Sequence, residues 1–322
     1  MAEFLQHLIN GISLGAVYAL IAVGYSMVYG ILQLINFAHG EVVMLGAVTA
    51  FLAAPMFGTP TEPSLPLFLG VFVITMLVCG IIGYLIERLA YRPIRDSPRM
   101  NCLITAIGVS LFLQYVTQLQ IKLPAPINLG FASIHSFGFG AIPQSFPELL
   151  KKVNVVEWTI GEQTLTISNY QLVILVLTII LVLGLQWIVF GTKLGKGMRA
   201  VSESTEIAKM LGIPVNRVIA FTFILGSVLA AAAAILVSMM YPRVDAMMGS
   251  LLGLKAFVAA VLGGIGNLPG AVLGGLLMGV AEMMTVGYIS SDFKDAIAFL
   301  ILVGVLLVRP SGLLGKARLE KV

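Results

Sequence analysis

Long apolar segments with few charges follow one another along almost the whole chain. Each is close to the roughly 20 residues that an α-helix needs to cross a hydrocarbon core about 30 Å thick. Nine such segments lie near residues 5–30, 40–57, 67–87, 102–121, 170–190, 217–240, 251–266, 270–288 and 294–308. The segments near 40 and 251 are short and contain glycine, so either could be broken or re-entrant. We therefore predict about eight to ten membrane spans.

The composition excludes an ordinary water-soluble fold. Hydrophobic residues make up 59% of the 322 residues and charged residues 11%, whereas soluble domains carry about 25% charged residues. Because lipid offers no hydrogen bonds, a chain of this kind must satisfy its backbone groups internally, as helices do. The predicted fold is an all-α, polytopic transmembrane helical bundle. It forms a single membrane domain over residues 1–322, without a large soluble domain.

The first apolar segment predicts a membrane span and not a cleaved signal peptide, and the two cysteines predict no disulfide. The first segment is longer than the apolar core of a secretory signal peptide, and no Lys or Arg precedes it, so we expect it to be a span. Cys79 lies in the middle of a predicted span and Cys102 lies near a membrane face. Because their depths differ by several helical turns, we expect no disulfide between them.

Positive charges are concentrated in three parts of the chain, and these parts predict its orientation. The groups are Arg88, Arg92, Arg95 and Arg99; Lys193, Lys196, Arg199, Lys209 and Arg217; and Arg309, Lys316, Arg318 and Lys321. Basic residues beside membrane spans favour the cytoplasmic side, so the segment 122–168 is predicted to be external (periplasmic). If all nine segments cross, the N-terminus is also outside; if one is re-entrant, it is inside. The groups flank spans and do not indicate a nucleic-acid site.

The longest polar stretch, residues 122–168, is predicted to form a small external subdomain. Prolines at positions 124, 126, 143 and 147 exclude long helices from its first half. In its second half, apolar and polar residues alternate on both sides of Gly161-Glu162, which is typical of a β-hairpin with a two-residue loop. Such a cap suits docking of a soluble partner, and a plain connector is the alternative.

The cytoplasmic segment 191–217 contains a predicted short amphipathic helix. Ser202 is a suitable N-cap for it. Acidic residues that a helix dipole favours in the first turn follow, namely Glu203 and Glu206. An apolar stripe at helical spacing comes next, formed by Ile207, Met210 and Leu211. Gly212 and Pro214 then end the helix, which either lies among lipid headgroups or docks into a groove on a partner protein.

No catalytic or nucleotide-binding pattern is complete in this sequence. The segment from Gly191 to Gly197 resembles a phosphate-binding loop, but it is one residue short between its glycines and lacks the Ser or Thr that holds magnesium. The chain has no HExxH motif and only three histidines, which argues against a zinc site. We therefore expect no enzyme activity, no metal and no bound cofactor in this chain.

Polar side chains within the apolar segments are candidates for a translocation path or a polar interior, because they are unfavourable against lipid. They are Tyr18, Tyr25 and Tyr29 in the first segment; Asn36, His39 and Glu41 where the first two segments meet; Ser110, Gln114 and Thr117 in the fourth; and Lys255 and Glu282, a candidate ion pair. The tyrosines share a helix face with Gly11 and Gly15. The opposite face is predicted to contact lipid and consists of Leu5, Ile9, Val17, Leu20, Val23 and Met27.

Residues 259–275 are unusually rich in glycine, which predicts close helix packing. The glycines concerned are Gly263, Gly264, Gly266, Gly270 and Gly274. Glycines four residues apart let two helix backbones approach closely, and Pro269 suits the first turn of a new helix. We expect two helices that meet at a tight turn, and contact of this backbone with a substrate is the alternative.

Four motifs, in this order, resemble those of bacterial branched-chain amino-acid ABC importer permeases. They are Asn36-Phe-Ala-His-Gly-Glu41, Glu87-Arg-Leu-Ala-Tyr-Arg-Pro93, the glycine run 259–275 and Arg309-Pro-Ser-Gly-Leu-Leu-Gly315. The likeness covers nearly the whole chain. It is greatest to the H-type, the shorter of the two homologous permease subunits in that family.

The resemblance implies an assembly in the bacterial inner membrane. A homologous M-type permease completes the path, two cytoplasmic ATPases bind ATP and magnesium, and a periplasmic binding protein delivers leucine, isoleucine or valine. Residues 197–217 resemble the family's cytoplasmic loop that docks on the ATPase, with a degenerate Glu-Ala-Ala opening. The residues implied in this coupling loop are Arg199, Glu203, Glu206, Ile207, Ala208, Met210, Leu211, Gly212, Ile213 and Pro214.

Other functions share parts of this pattern. Permeases of urea and short-amide ABC importers look similar around residues 36–41. A proton-coupled secondary transporter would use Glu41 or Glu282 as the proton carrier and would work without ATPase subunits. An intramembrane enzyme would need a catalytic constellation that this sequence does not show. The main prediction is an importer permease with ATP hydrolysis on separate subunits.

Overall fold

The computed structural model of this protein consists mainly of α-helices. It describes residues 1–57, 62–95, 97–128, 133–137, 139–160 and 163–315. The helices are α1 (Ala2–Leu32), α2 (His39–Ala53), α3 (Leu65–Ile86), α4 (Arg99–Gln118), α5 (Asn169–Gly191), α6 (Lys193–Glu203), α7 (Thr205–Met210), α8 (Val215–Met240), α9 (Met248–Gly263), α10 (Leu268–Tyr288) and α11 (Lys294–Val308). The strands are β1 (Ile121–Asn128), β2 (Ser133–Phe137), β3 (Gln144–Ser145), β4 (Asn154–Ile160), β5 (Gln163–Ser168) and β6 (Arg243–Val244). Three basic residues predicted to be cytoplasmic lie outside the described residues, namely Lys316, Arg318 and Lys321.

Within the described residues, seven helical segments are long and apolar enough to cross a membrane. They are Ala2–Leu32, His39–Phe57, Leu65–Tyr91, Met100–Gln118, Asn169–Gly191, Val215–Met240 and Leu268–Tyr288. The remaining two apolar helices, α9 and α11, are shorter, with 16 and 15 residues. Each of the nine predicted segments corresponds to a helix, so the predicted polytopic helical fold is confirmed. This is a multi-pass membrane protein.

The chain divides into two compact units that interleave along the sequence. The terminal unit comprises Met1–Gln33, Lys152–Ile219 and Leu254–Val322, and the central unit comprises Leu34–Lys151 and Ala220–Gly253. Helices α8 and α9 each begin in one unit and end in the other. The single permease domain over residues 1–322 stays a prediction.

In the terminal unit, α1 and α10 pack against each other as antiparallel helices. Their contact depends on glycine. A β-carbon at Gly15 would lie 2.7 Å from the Cα of Leu276, and one at Gly11 would lie 2.8 Å from the Cα of Val280. Because no side chain larger than hydrogen fits at these positions, the two backbones touch directly.

Helix α1 is enclosed by protein along most of its length. Every residue from Ser13 to Val28 is buried. The predicted lipid contact of its aliphatic face is therefore wrong for Val17, Leu20 and Val23, which are 0% exposed, and for the buried Met27. Leu5 and Ile9, near the start of the helix, are half-buried. An aliphatic helix face can pack against either lipid or a protein core, and a helix that is apolar all round is typically buried.

The C-terminal segment holds the glycine-rich turn between α9 and α10. Asn267 caps α10 by accepting a hydrogen bond from Gly270 N at 3.2 Å, and its side-chain amide donates to the Leu314 carbonyl at 2.6 Å. Leu314 N in turn donates to the Gly263 carbonyl at 2.9 Å. Two of the four motifs in the sequence therefore meet at this turn.

The glycines around this turn contact backbone of neighbouring elements. A β-carbon added at any of them would meet main-chain atoms, and the positions are Gly263, Gly264, Gly266, Gly270 and Gly274. Gly264 and Gly266 also have φ angles of +107° and +88°, which residues with a β-carbon rarely adopt. Pro269 lies in the first turn of α10, as its fixed φ angle favours.

The predicted external segment contains the β-hairpin that alternation in the sequence indicates. Strands β4 and β5 are antiparallel, and Ile160 pairs with Gln163. The predicted two-residue loop, 161–162, lies outside the described residues. Strands β1 and β2 form a second antiparallel pair, in the proline-containing part of the segment.

Candidate functional site

The loop between α5 and α8 contains two helices, and the shorter one is capped differently from the prediction. Ser204 is its N-cap, since its extended backbone interrupts the helix and its Oγ accepts a hydrogen bond from Ile207 N at 3.3 Å. Ser202 lies in the last turn of α6 and donates to the Arg199 carbonyl at 2.7 Å. The predicted cap at Ser202 was wrong because α6, with Val201 buried, continues as far as Glu203. Glu203 therefore ends α6 and does not belong to the first turn of α7.

Helix α7 has an apolar stripe that is exposed on the surface of the chain. Ile207, Met210 and Leu211 are 59%, 85% and 72% exposed, whereas Ala208 is 1% exposed and anchors the helix. Gly212, with φ +75°, donates its N–H to the Lys209 carbonyl at 3.0 Å and ends the helix. Large apolar side chains grouped on a surface commonly mark a contact with protein or lipid.

The other residues of the predicted coupling loop are distributed over α6, α7 and the turn into α8. Glu206 is exposed in the first turn of α7. Ile213 N donates to the Ala208 carbonyl at 3.0 Å, and Pro214 starts the turn into α8. Arg199 lies on α6, with its guanidinium 5.4 Å from the ring centroid of Phe190. Its side chain therefore rests against the end of α5.

A cluster of charged residues is buried in the terminal unit. Lys255 Nζ lies 2.6 Å from Glu282 Oε1 and 2.7 Å from Asp295 Oδ1, and Tyr18 Oη donates to Glu282 Oε2 at 2.8 Å. The side chains of Lys255 and Glu282 are 5% and 7% exposed, whereas Asp295 is 38% exposed. We call these four residues the Lys255 cluster. Each charge in it has an opposite charge as a direct neighbour.

A second buried cluster lies in the central unit and contains no cation. Glu41 is 1% exposed, and its Oε1 accepts hydrogen bonds from Ser110 Oγ at 3.2 Å and Ser250 Oγ at 3.1 Å. Gln114 donates to Ser250 Oγ at 3.3 Å. Among the described residues, no lysine, arginine or histidine forms a salt bridge with Glu41. We call these four residues the Glu41 cluster.

The break between α1 and α2 is stabilised by Asn36. Its Oδ1 accepts hydrogen bonds from Ala38 N at 3.1 Å and from Tyr91 Oη at 2.7 Å, and its carbonyl accepts one from His39 N at 3.0 Å. Tyr91 ends a π-helical turn, Glu87–Tyr91, that follows α3. The first two sequence motifs are therefore in contact, although about 50 residues separate them in the chain.

The remaining candidate polar residues do not join either cluster. Thr117 Oγ1 donates to the carbonyl of Leu113 within its own helix at 2.8 Å. Tyr25 makes an edge-to-face contact with Phe257, with ring centroids 6.1 Å apart. Tyr29 is partly exposed near the end of α1.

Asp295, Ser250 and Tyr91 belong to the polar contacts but were not identified from the sequence. Asp295 lies in the first turn of an apolar helix, where an acidic residue is usually explained by the helix dipole. Ser250 lies in the first turn of α9, where a serine is equally ordinary. Sequence spacing alone indicates neither Asp295 nor Ser250. Tyr91 is indicated only by the motif that contains it. No group of three or more potential metal ligands occurs within the described parts of the chain.

Comparison with known proteins identifies the family. The family model described as "Branched-chain amino acid transport system / permease component" matches residues 7–306. The high-affinity branched-chain amino acid transport system permease protein BraD of Pseudomonas aeruginosa is 42% identical over 324 residues, covering 99% of this chain and 98% of that protein. The corresponding protein LivH of Escherichia coli is 40% identical over 327 residues, with the same shares covered.

One solved structure is also similar at low identity. PsaBC from Streptococcus pneumoniae, in complex with Fab, matches with a TM-score of 0.44 and 15% identity, covering 96% of this chain and 92% of that chain. The assignment depends on the family model and the full-length relatives alone. By both, this chain belongs to the family of branched-chain amino acid transport system permease components.

Proposed function

We propose that this chain is the membrane-spanning permease subunit of an ATP-driven importer in the bacterial inner membrane, and that it translocates leucine, isoleucine or valine. The observation that carries the proposal is the full-length similarity to permeases of high-affinity branched-chain amino acid transport systems. The same similarity favours this function over a urea or short-amide permease and over a proton-coupled carrier.

The exposed stripe of α7 supports docking on a cytoplasmic ATPase. Ile207, Met210 and Leu211 leave much of their apolar surface uncovered, and burying a side chain of this size contributes about 1.5–3 kcal/mol. Glu206 and Lys209 are both exposed on α7, so their opposite charges do not select an anionic membrane surface. The full-length similarity to ABC importer permeases favours a protein partner for this helix over lipid headgroups.

Contacts within the terminal unit support an external N-terminus. Near the start of α1, Gln6 donates to the Thr166 carbonyl at 3.1 Å and accepts from Thr166 N at 2.8 Å. This joins the first turns of α1 to the hairpin that charge distribution predicts to be outside. Near the other end of α1, Gly30 faces Gly266, at the turn that binds the C-terminal segment. Nine crossings with a cytoplasmic C-terminus fit these contacts.

The proposed assembly has four kinds of component. A periplasmic binding protein delivers the amino acid to the external side, where the hairpin is a candidate contact. A homologous M-type permease, paired with this subunit, forms the path. Two ATPases bind ATP and magnesium, and their closure moves α7, so that the path alternates between outward and inward openings. No step requires a cofactor bound to this chain.

Reconstitution tests this function directly. We expect the chain to co-purify with its permease and ATPase partners. In proteoliposomes, the complex should take up labelled leucine only when ATP and the leucine-loaded binding protein are both present. Uptake without ATPase subunits that is abolished by an uncoupler, with ATP held constant, would instead indicate a proton-coupled carrier. Uptake of urea and not of branched-chain amino acids would reassign the substrate.

The coupling role of α7 has its own test. We expect Leu211→Asp to uncouple ATP hydrolysis from leucine uptake while membrane insertion is unchanged, because a carboxylate would be placed in the apolar contact. Leu211→Met, which keeps an apolar side chain of similar volume, serves as the matched control and should remain coupled. Normal coupling in Leu211→Asp would remove α7 from the ATPase contact.

A further inference from the structure

We propose that Glu41 binds the α-ammonium group of the amino acid during its passage through the permease. This inference rests on the proposed function and assigns one substrate contact within it. The ligand class is a primary ammonium group attached to a branched aliphatic chain.

One carboxylate oxygen of Glu41 lacks a hydrogen-bond donor. Oε1 accepts from two serine hydroxyls, whereas Oε2 is fully buried and has no hydrogen-bond partner among the described residues. A carboxylate has about four acceptor positions, and leaving a buried one unmade is unfavourable. This oxygen is therefore available to a donor that the chain itself does not supply.

The surroundings of Glu41 favour a cation. Glu41 lies in the first turn of α2, and Ser250 lies in the first turn of α9, so the N-terminal ends of two helices lie near the carboxylate. Such ends stabilise a negative charge without a counter-ion. The hydroxyls of Ser110 and Ser250 add polarity but no charge. An incoming ammonium group would supply the opposite charge that this buried carboxyl group lacks, with no cation to displace.

Two other buried glutamates, Glu282 and Glu87, differ from Glu41 because basic residues lie near them in the structure or in the sequence. Glu282 has both carboxylate oxygens engaged, one by Lys255 and the other by Tyr18. Glu87 is also buried, and its Oε1 likewise has no hydrogen-bond partner among the described residues, but three arginines follow it within eight residues of the chain, at positions 88, 92 and 95. Glu41 is therefore the buried carboxylate best suited to an external cation.

Glycine backbone lies directly against the vacant oxygen. A β-carbon at Gly249 would be 2.8 Å from Glu41 Oε2 and 2.5 Å from the Gly40 carbonyl oxygen. The first turns of α2 and α9 thus touch through main chain at Gly40 and Gly249, and the hydrogen bond from Ser250 Oγ to Glu41 Oε1 also joins them. Because Oε2 is buried between these two turns, access of the ammonium group requires them to separate during the transport cycle.

Two substitutions distinguish charge from hydrogen bonding. Glu41→Gln keeps the shape and an oxygen that accepts from both serines, but it removes the charge. Glu41→Asp keeps the charge and shortens the side chain. Thr75→Val is the matched control, because Thr75 is 0% exposed in α3 of the same unit and its hydroxyl has no hydrogen-bond partner among the described residues.

The measurement is initial uptake of labelled leucine by the reconstituted complex at saturating binding protein, with ATP hydrolysis and thermal unfolding recorded in parallel. We expect Glu41→Gln to lower uptake by about tenfold or more while unfolding is unchanged. Glu41→Asp should retain more uptake than Glu41→Gln, and Thr75→Val should match wild type. If Glu41→Gln transports as well as or better than Glu41→Asp, the ammonium assignment is wrong.

Chemical labelling provides a second test on the wild-type complex, in case Glu41→Gln does not assemble. A hydrophobic carbodiimide modifies accessible carboxyl groups, and peptide mass spectrometry gives the modified fraction of each. During ATP turnover, leucine-loaded binding protein should reduce Glu41 modification by about threefold or more relative to unloaded binding protein. Modification of Glu282 in the same sample is the control and should not change. Equal labelling of Glu41 with and without leucine would refute the contact.

Failure of the inference and failure of the proposed function give different results. If the wild-type complex takes up no branched-chain amino acid with all partners present, the proposed function fails and the role of Glu41 fails with it. If wild type is active and Glu41→Gln is equally active, only the role of Glu41 fails.

Discussion

The Lys255 cluster and the Glu41 cluster are both built around a buried glutamate, yet they are completed in different ways. In the terminal unit, Glu282 contacts a lysine at 2.6 Å and a tyrosine hydroxyl at 2.8 Å. In the central unit, Glu41 contacts two serine hydroxyls, and one of its oxygens has no donor within the described part of the chain. The same side chain is thus fully paired in one place and only partly paired in the other.

The difference fits a structural role for Glu282 and the substrate contact that we propose for Glu41. A buried charge that is paired on all sides is strongly destabilised when one partner is removed, so such groups tend to hold elements together. The Lys255 cluster joins α1, α9, α10 and the first turn of α11 in this way. A buried carboxylate held by hydroxyls alone retains capacity for a passing cation, and this is the property that a weak, transient path needs.

The largest effect is expected for Lys255→Met. This substitution leaves Glu282 buried without its cation and removes the charge next to Asp295, so we expect a loss of about 3–5 kcal/mol in the free energy of unfolding. Thermal unfolding in detergent measures it. The double variant Lys255→Met with Glu282→Leu removes both buried charges and should be more stable than the single variant. A single variant that unfolds at the wild-type temperature would contradict the structural role of this cluster.

A smaller effect is expected for Tyr18→Phe. The change removes one hydrogen bond to the charged Glu282 and keeps the ring in place, so we expect a loss of about 1.5–3 kcal/mol. The control is Tyr115→Phe, since Tyr115 is 62% exposed on α4 and its hydroxyl should matter little. If both variants unfold at the same temperature as wild type, Tyr18 does not stabilise Glu282.

The smallest effect on stability is expected for Glu41→Gln. The amide oxygen can still accept from Ser110 and Ser250, so we expect a change within about 1 kcal/mol. Glu282→Gln, measured alongside, should lower the free energy of unfolding by more, because it leaves Lys255 without one of its two carboxylates. Equal destabilisation by the two substitutions would mean that both glutamates serve the fold, and the contrast between the clusters would disappear.

The membrane helices could be predicted from the sequence because a long apolar run indicates a helix whatever it packs against. The hairpin could be predicted for a similar reason, since strand alternation and the loop at 161–162 are local signals. The cap of α7 was assigned to Ser202 and not to Ser204 because the burial of Val201, which prolongs α6, is a tertiary fact. Local sequence signals therefore predicted which helices and strands form, whereas packing determined the residues at which they end.

The clusters could be predicted only in part. Polar groups in apolar runs are unusual, and this predicts Glu41, Ser110, Gln114, Lys255 and Glu282. Polar residues in the first turn of a helix are common, so Asp295 and Ser250 carry no such signal. Periodicity also failed for α1, where Val17 and Leu20 face protein and not lipid. Opposite charges in two apolar segments predict the Lys255–Glu282 contact, which the structure shows at 2.6 Å, but the contacts of Asp295 and Ser250 leave no such mark in a single sequence.

The most direct test of the division between a structural and a transport glutamate is the amount of leucine transported per ATP hydrolysed. Wild type, Glu41→Gln and Thr75→Val would be compared in proteoliposomes that contain equal amounts of folded complex. We predict a ratio at least about tenfold lower for Glu41→Gln than for wild type, with Thr75→Val unchanged. A wild-type ratio in Glu41→Gln would contradict the assignment of Glu41 to the substrate.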